Sequence, residues 1–126
     1  MKANDSSSGT GRILCVDDNE NIRALMRVLI GSYGYQPVIA GSFSEALEQT
    51  ALGGFALYIL DNKLGSRSGI DLCERIRASD QHTPIMFYSA AGFTTDIQKG
   101  LDAGAQAYLV KPNISHLKEA IDRLVL

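Results

Sequence analysis

Between Arg12 and Val125, short apolar runs alternate five times with segments of helical period, and few folds accept that rhythm. The runs are Arg12–Val16, Gln36–Ala40, Phe55–Leu60, Pro84–Tyr88 and Gln106–Val110. Most are continuously apolar, as strands are when both faces of their sheet are covered. After the first run, Ile22, Leu25, Met26, Leu29, Ile30 and Tyr33 recur at helical spacing, with Gly34 as a stop. Ser42-Phe43-Ser44-Glu45 matches a capping box that opens a helix ending near Gly53-Gly54. Ile70, Cys73 and Ile76 form one face of a third helix, and Phe93, Ile97 and Leu101 a narrower face of a fourth that ends near Gly104. Ile114, Leu117, Ile121, Leu124 and Val125 line the last, with Asn113 as its expected N-cap.

Strand–helix alternation of this kind predicts an α/β fold, a doubly wound parallel sheet with helices on both faces. Pro37 adds a topological constraint. Proline has no N–H to give to a ladder, so the second strand belongs at an edge. The flavodoxin-like (βα)5 arrangement, five strands in the order 2-1-3-4-5, puts it there. The 126 residues suit one domain, expected over 11–126 and preceded by a polar, aperiodic tail over 1–10.

Composition narrows the function. A net charge of −2 gives no basic field for nucleic acid or anionic lipid. No apolar run reaches the roughly 20 residues that span a bilayer, and Met1–Thr10 lacks the apolar core of a signal peptide. A cytoplasmic protein is expected. Cys15 lies in an apolar strand and Cys73 on a helical face, and both are expected to be reduced packing residues.

Ligands of an open parallel sheet bind in the crevice outside the carboxyl ends of its strands. Four groups are expected there: Asp17-Asp18, Asp61, Ser89 and Lys111, each just past a strand. Alone, each has an ordinary explanation. Asp17-Asp18-Asn19-Glu20 makes a good turn and helix start, aspartate commonly follows a strand, Ser89 suits a loop and Lys111 a wet surface. Together they are what an acyl-phosphate site requires: carboxylates for a divalent metal, a nucleophilic carboxylate, a hydroxyl donor and a fixed cation.

Asp17-Asp18, Asp61-Asn62-Lys63-Leu64-Gly65 with Gly69, Ser89-Ala90, and Tyr108-Leu109-Val110-Lys111-Pro112 resemble the ordered motifs of a response-regulator receiver domain over about residues 11–126. The resemblance implies a phosphorylation-dependent switch of a two-component phosphorelay, not a turnover enzyme. Asp61 would accept a phosphoryl group from a histidine kinase or histidine phosphotransfer protein. Asp18 would bind Mg2+ directly and Asp17 largely through water, with Asp61 and the Lys63 backbone carbonyl completing the set; Mn2+ is the alternative ion. Ser89 and Lys111 would contact the phosphoryl oxygens, and Tyr108 would turn inward with Ser89 to remodel the face of the fourth helix, fifth strand and fifth helix. The Lys111-Pro112 bond would be cis. The resemblance also implies a monomer or a weak phosphorylation-dependent dimer, with an unidentified downstream effector and no nucleic-acid or membrane contact by this domain. A phosphorylation-independent pseudo-receiver is the alternative.

Several positions depart from that pattern. Gly65 stands where the family usually has proline, which frees the loop after Asp61. Lys63 and Ala91 occupy positions that tune dephosphorylation, and Asn113 replaces a frequent aromatic. Ala105-Gln106 lacks the acidic pair common in winged-helix regulators. Gly92 and the pair Thr94-Thr95 weaken the fourth helix. His82 and His116 are expected at the surface, not as phosphodonors. An aspartyl-phosphate phosphatase with an Asp-x-Asp motif would need aspartate where Lys63 stands. Gly9-Thr10-Gly11 precedes the first strand, so it makes no nucleotide loop.

Overall fold

The computed structural model describes residues 11–126. The predicted tail, 1–10, lies outside the described residues. The chain forms β1 (Arg12–Val16), α1 (Glu20–Ser32), β2 (Gln36–Ala40), α2 (Phe43–Leu52), β3 (Leu57–Leu60), β4 (Lys63–Leu64), β5 (Arg67–Ser68), α3 (Gly69–Ser79), β6 (Ile85–Ser89), α4 (Thr94–Asp102), β7 (Ala107–Val110) and α5 (Ile114–Val125). The main sheet is parallel and has the order β2-β1-β3-β6-β7, which is the predicted 2-1-3-4-5 once the small pair β4-β5 is set aside. Pro37 sits in edge strand β2.

Alternate residues of each central strand feed opposite faces of the sheet. Leu14, Val16, Tyr58, Leu60, Ile85 and Phe87 pack with Ala46, Leu72, Cys73 and Ile76 of α2 and α3. Ile13, Cys15, Leu57, Ile59, Met86 and Tyr88 pack with Met26, Ile30, Leu117 and Ile121 of α1 and α5. Two buried layers explain why the strand sequences are continuously apolar. Cys15 and Cys73 are free and buried, and burial raises their thiols to about 12 and about 11.

Local signals hold at most termini. Ser42 Oγ accepts the Glu45 N–H at 3.1 Å, although the Glu45 carboxylate returns to Gly41 N–H at 2.6 Å, one residue before the cap. Asn113 precedes α5 as predicted, but its amide does not cap the helix; its Oδ1 lies 2.8 Å from His116 Nδ1. The apolar face predicted for α4 is corrected. Phe93 is only the residue before the helix and is 80% exposed, and Leu101 is 39% exposed. Gly100 is the buried residue of α4, pressed so flat that a Cβ there would lie 2.8 Å from the Tyr108 ring and 3.1 Å from that of Phe87. A glycine contact carries no hydrophobic signal. In the loop after Asp61, β4 and β5 pair as a short antiparallel hairpin.

Candidate functional site

The parallel ladder runs one residue beyond three of the strands and so aims the site. Asp17 N–H donates to Ala40 O at 3.1 Å, Asp61 N–H to Val16 O at 3.0 Å and Lys111 N–H to Ser89 O at 2.8 Å. Ser89 is itself the last residue of β6 rather than the first beyond it. These backbones are held by the sheet, and their side chains meet in a cleft of about 300 Å³ lined by Asp17, Asp18, Asp61, Lys63, Ser89 and Lys111 among others. Lys111-Pro112 is cis.

Lys111 organises the charges. Its Nζ lies 2.6 Å from Asp17 Oδ2 and 3.3 Å from Asp61 Oδ2, tying β7 to β1 and β3. Burial works against the lysine charge, but the two carboxylates outweigh it and hold the ammonium above its ordinary range. Asp17 is 2% exposed. Burial pushes its carboxyl up and the Asp61 charge adds to that, while the Lys111 ammonium and the Asn19 N–H (2.9 Å) pull down without cancelling it. Asp18 is exposed, and its Oδ2 accepts the Gly65 N–H at 2.9 Å. Asp61 Oδ1 accepts the Lys63 N–H at 3.4 Å.

Oxygens of Asp17, Asp18 and Asp61 lie within 4.8 Å of one another. Three carboxylates against one ammonium leave an excess of negative charge in a partly buried cleft. Hard oxygen donors at this spacing suit an octahedral Mg2+, whose opposite ligands stand about 4.2 Å apart. The residues therefore fit the ion that the acidic pair suggested.

A hydroxyl chain leads away from the cleft. Ser89 is 1% exposed, and its Oγ accepts the Ala91 N–H at 3.2 Å, which leaves its O–H available to donate. The Tyr108 hydroxyl donates to Ala91 O at 2.6 Å and accepts from Asn62 Nδ2 at 3.2 Å. Its ring stacks on Phe87, 5.2 Å between centroids. The residue after Asp61 and the residue two after Ser89 thus meet at one tyrosine.

The chain matches the family described as "Response regulator receiver domain" over residues 13–122. It belongs to the response-regulator receiver family. It is 36% identical to the transcriptional regulatory protein DltR of Streptococcus agalactiae over 80% of this chain and 45% of that protein. It is 34% identical to the DNA-binding response regulator MtrA of Mycolicibacterium smegmatis over 80% of this chain and 44% of that protein. The chain thus spans less than half the length of these relatives. Among solved structures it resembles the chemotaxis response regulator CheY4 of Vibrio cholerae, with a TM-score of 0.84 and 26% identity over 91% of this chain and 98% of that one. A CheY-like receiver protein of Methanospirillum hungatei gives a TM-score of 0.87 at 28% identity, over 92% of this chain and 94% of that one.

The receiver fold brings every residue predicted for the site into this cleft or, for Tyr108, to the end of the hydroxyl chain. Two contacts near the cleft have no signal in the sequence. Asn62 donates to the Tyr108 hydroxyl and the Gly65 N–H to Asp18, and neither residue type announces a long-range hydrogen bond; Gly65 draws notice in the sequence only as a departure from the usual proline. No helix among the described residues is long and apolar enough to cross a membrane.

Proposed function

We propose that Asp61 accepts a phosphoryl group from a histidine kinase or histidine phosphotransfer protein, and that the chain is a phosphorylation-dependent signalling switch rather than a turnover enzyme. The observation that carries this is the Lys111 ammonium standing between Asp17 and Asp61 in the cleft that also holds Asp18 and Ser89. Membership of the receiver family supports phosphorylation-dependent signalling in general.

In the reaction an Asp61 carboxylate oxygen attacks the phosphorus of phosphohistidine. The N–P bond breaks, the imidazole leaves with its electron pair and takes up a proton, and an acyl phosphate remains on Asp61. Such transfers depend on positioning and on charge stabilisation at the equatorial oxygens. Mg2+, or Mn2+, held by Asp17, Asp18, Asp61 and the Lys63 carbonyl would neutralise part of that charge. Lys111 supplies a cation 3.3 Å from the acceptor carboxylate, close enough to follow the new phosphoryl group as a compact point charge. Ser89 has an O–H to donate to a phosphoryl oxygen.

If Ser89 donates there, its contact with Ala91 N–H changes, and Ala91 carries the carbonyl that holds Tyr108. Tyr108 bears on Gly100 of α4, so the readout passes to the α4-β7-α5 face. The effector that reads this face, and any dimerisation through it, lie with the rest of the system. Incubation with acetyl phosphate tests the reading by intact mass. A gain of about 80 Da, one phosphoryl group, is expected in the parent with Mg2+, and none without Mg2+ or in Asp61→Asn. An equal gain in Asp61→Asn would overturn it.

A further inference from the structure

We propose that the Gly65 backbone N–H is a positioning group for the carboxylate of Asp18, setting how well the acidic cluster takes its cation. The inference rests on the proposed cation site and concerns a residue outside its ligand set. Gly65 N–H donates to Asp18 Oδ2 at 2.9 Å across 47 residues of sequence. The other two carboxylates are held differently: Asp17 by Lys111 and the Asn19 N–H, and Asp61 by Lys111 and the Lys63 N–H. Asp18 is the exposed member of the cluster, and repulsion from two carboxylates within 4.8 Å favours swinging it out into water. One N–H from a fixed loop opposes that swing.

The loop is fixed by the core and not by the site. Leu64 is 4% exposed, the Arg67 guanidinium lies 3.8 Å over the Phe43 ring, and Lys63 and Leu64 pair with Ser68 and Arg67. The hairpin between these anchors brings Gly65 round at φ +63°, the left-handed region that favours glycine. Glycine therefore serves twice, adopting the turn and presenting the N–H. Proline could do neither, since its φ is locked near −65° and it has no donor. The bond occupies only one of the roughly four acceptor sites of a carboxylate, so the remaining lone pairs stay open to a cation. Holding Asp18 in place before the ion arrives removes part of the ordering cost of binding.

The test measures Mg2+ affinity by titration calorimetry on the unphosphorylated full chain, with denaturation midpoints confirming folding. Gly65→Asn keeps the N–H and tolerates the left-handed turn, and is expected to bind like the parent. Gly65→Pro, and a semisynthetic chain with an ester in place of the Leu64–Gly65 amide, are expected to bind about three- to tenfold more weakly. The ester removes the N–H and leaves the backbone angles unchanged, so it separates hydrogen bonding from turn geometry. An ester chain that binds Mg2+ as tightly as the parent overturns this inference alone. A parent that takes up no Mg2+ overturns the cation site and this inference with it.

Discussion

Replacing Gly69 with alanine sets two effects of opposite sign against each other. Gly69 is the first residue of α3 and is not among the glycines at positive φ, so alanine suits its backbone. In a helix interior, glycine to alanine stabilises by up to about 1 kcal/mol, and less at an end. Against that, a Cβ at Gly69 would lie 2.0 Å from the Asp61 carbonyl oxygen, 2.9 Å from its carbon and 3.0 Å from Phe87 Cε1. Ordinary contact needs about 3.5 Å, so the Asp61 carbonyl would have to retreat by more than about 1 Å. Forced repacking of this kind costs about 1–3 kcal/mol, and the atoms that must move belong to backbone. The clash wins. Gly69→Ala is expected to lose about 1–2 kcal/mol and, at roughly 4 °C per kcal/mol for a domain of this size, about 4–8 °C in Tm. Because the displaced backbone carries the acceptor, phosphorylation by acetyl phosphate should slow as well. Thermal unfolding by circular dichroism and phosphorylation rates by intact mass read both effects. A Tm equal to or above the parent's, with an unchanged phosphorylation rate, would show that the Asp61 carbonyl does not hold Gly69 to glycine.

Three further outcomes follow from particular contacts. Burial opposes the charge of Asp80, but the Thr83 side chain and the Thr83 and His82 N–H groups overcome it and lower the carboxyl from 3.8 to about 2. A depressed carboxyl stabilises above its unfolded value and loses that contribution as pH falls through its folded one, so stability should drop between about pH 4 and pH 2. The drop is at most about 2 kcal/mol, less for partial solvation, and Asp80→Asn should show a shallower acid limb in urea melts; an unchanged limb counts against it. Lys63 is exposed and lines the cleft, and Lys63→Asn is expected to shorten the lifetime of the phosphoryl group severalfold, measured as phosphate release. A lifetime equal to or longer than the parent's sinks that role. Asn62→Ala removes the donor on the Tyr108 hydroxyl and should shift the Tyr108 ring signals in carbon–proton NMR while costing no more than about 1 kcal/mol of stability; unshifted signals would show that the contact does not hold the tyrosine.

Much of the fold was legible because its signals are local and repeated. Five apolar runs and the helical periods between them required a covered parallel sheet, and Pro37 alone selected the edge. The acidic, hydroxyl and ammonium groups were legible because strand ends in such a sheet converge. What escaped depends on partners distant in sequence. Arg77 is one example: its guanidinium donates to Gly104 O, Asp80 O, Thr83 O and Gln106 Oε1, at 2.8–3.0 Å, joining α3 to both ends of the neighbouring loops. Gln106 also accepts the Ile85 N–H at 2.7 Å, so the position that lacked an acidic residue holds a cross-strand acceptor instead. The buried face of α4 has no apolar signature because the packing there is made by Gly100 against two aromatic rings. Hydrophobic periodicity cannot see a contact made by an absent side chain.

Asp61 is the proposed seat of the phosphoryl group, and chemical trapping locates it directly. Reducing the acetyl-phosphate-treated protein with borohydride converts an aspartyl phosphate to homoserine, and tandem mass spectrometry of the digest locates the change. Homoserine is expected at position 61 and nowhere else. Homoserine at position 17 or 18, or phosphate retained on His82 or His116, would contradict it.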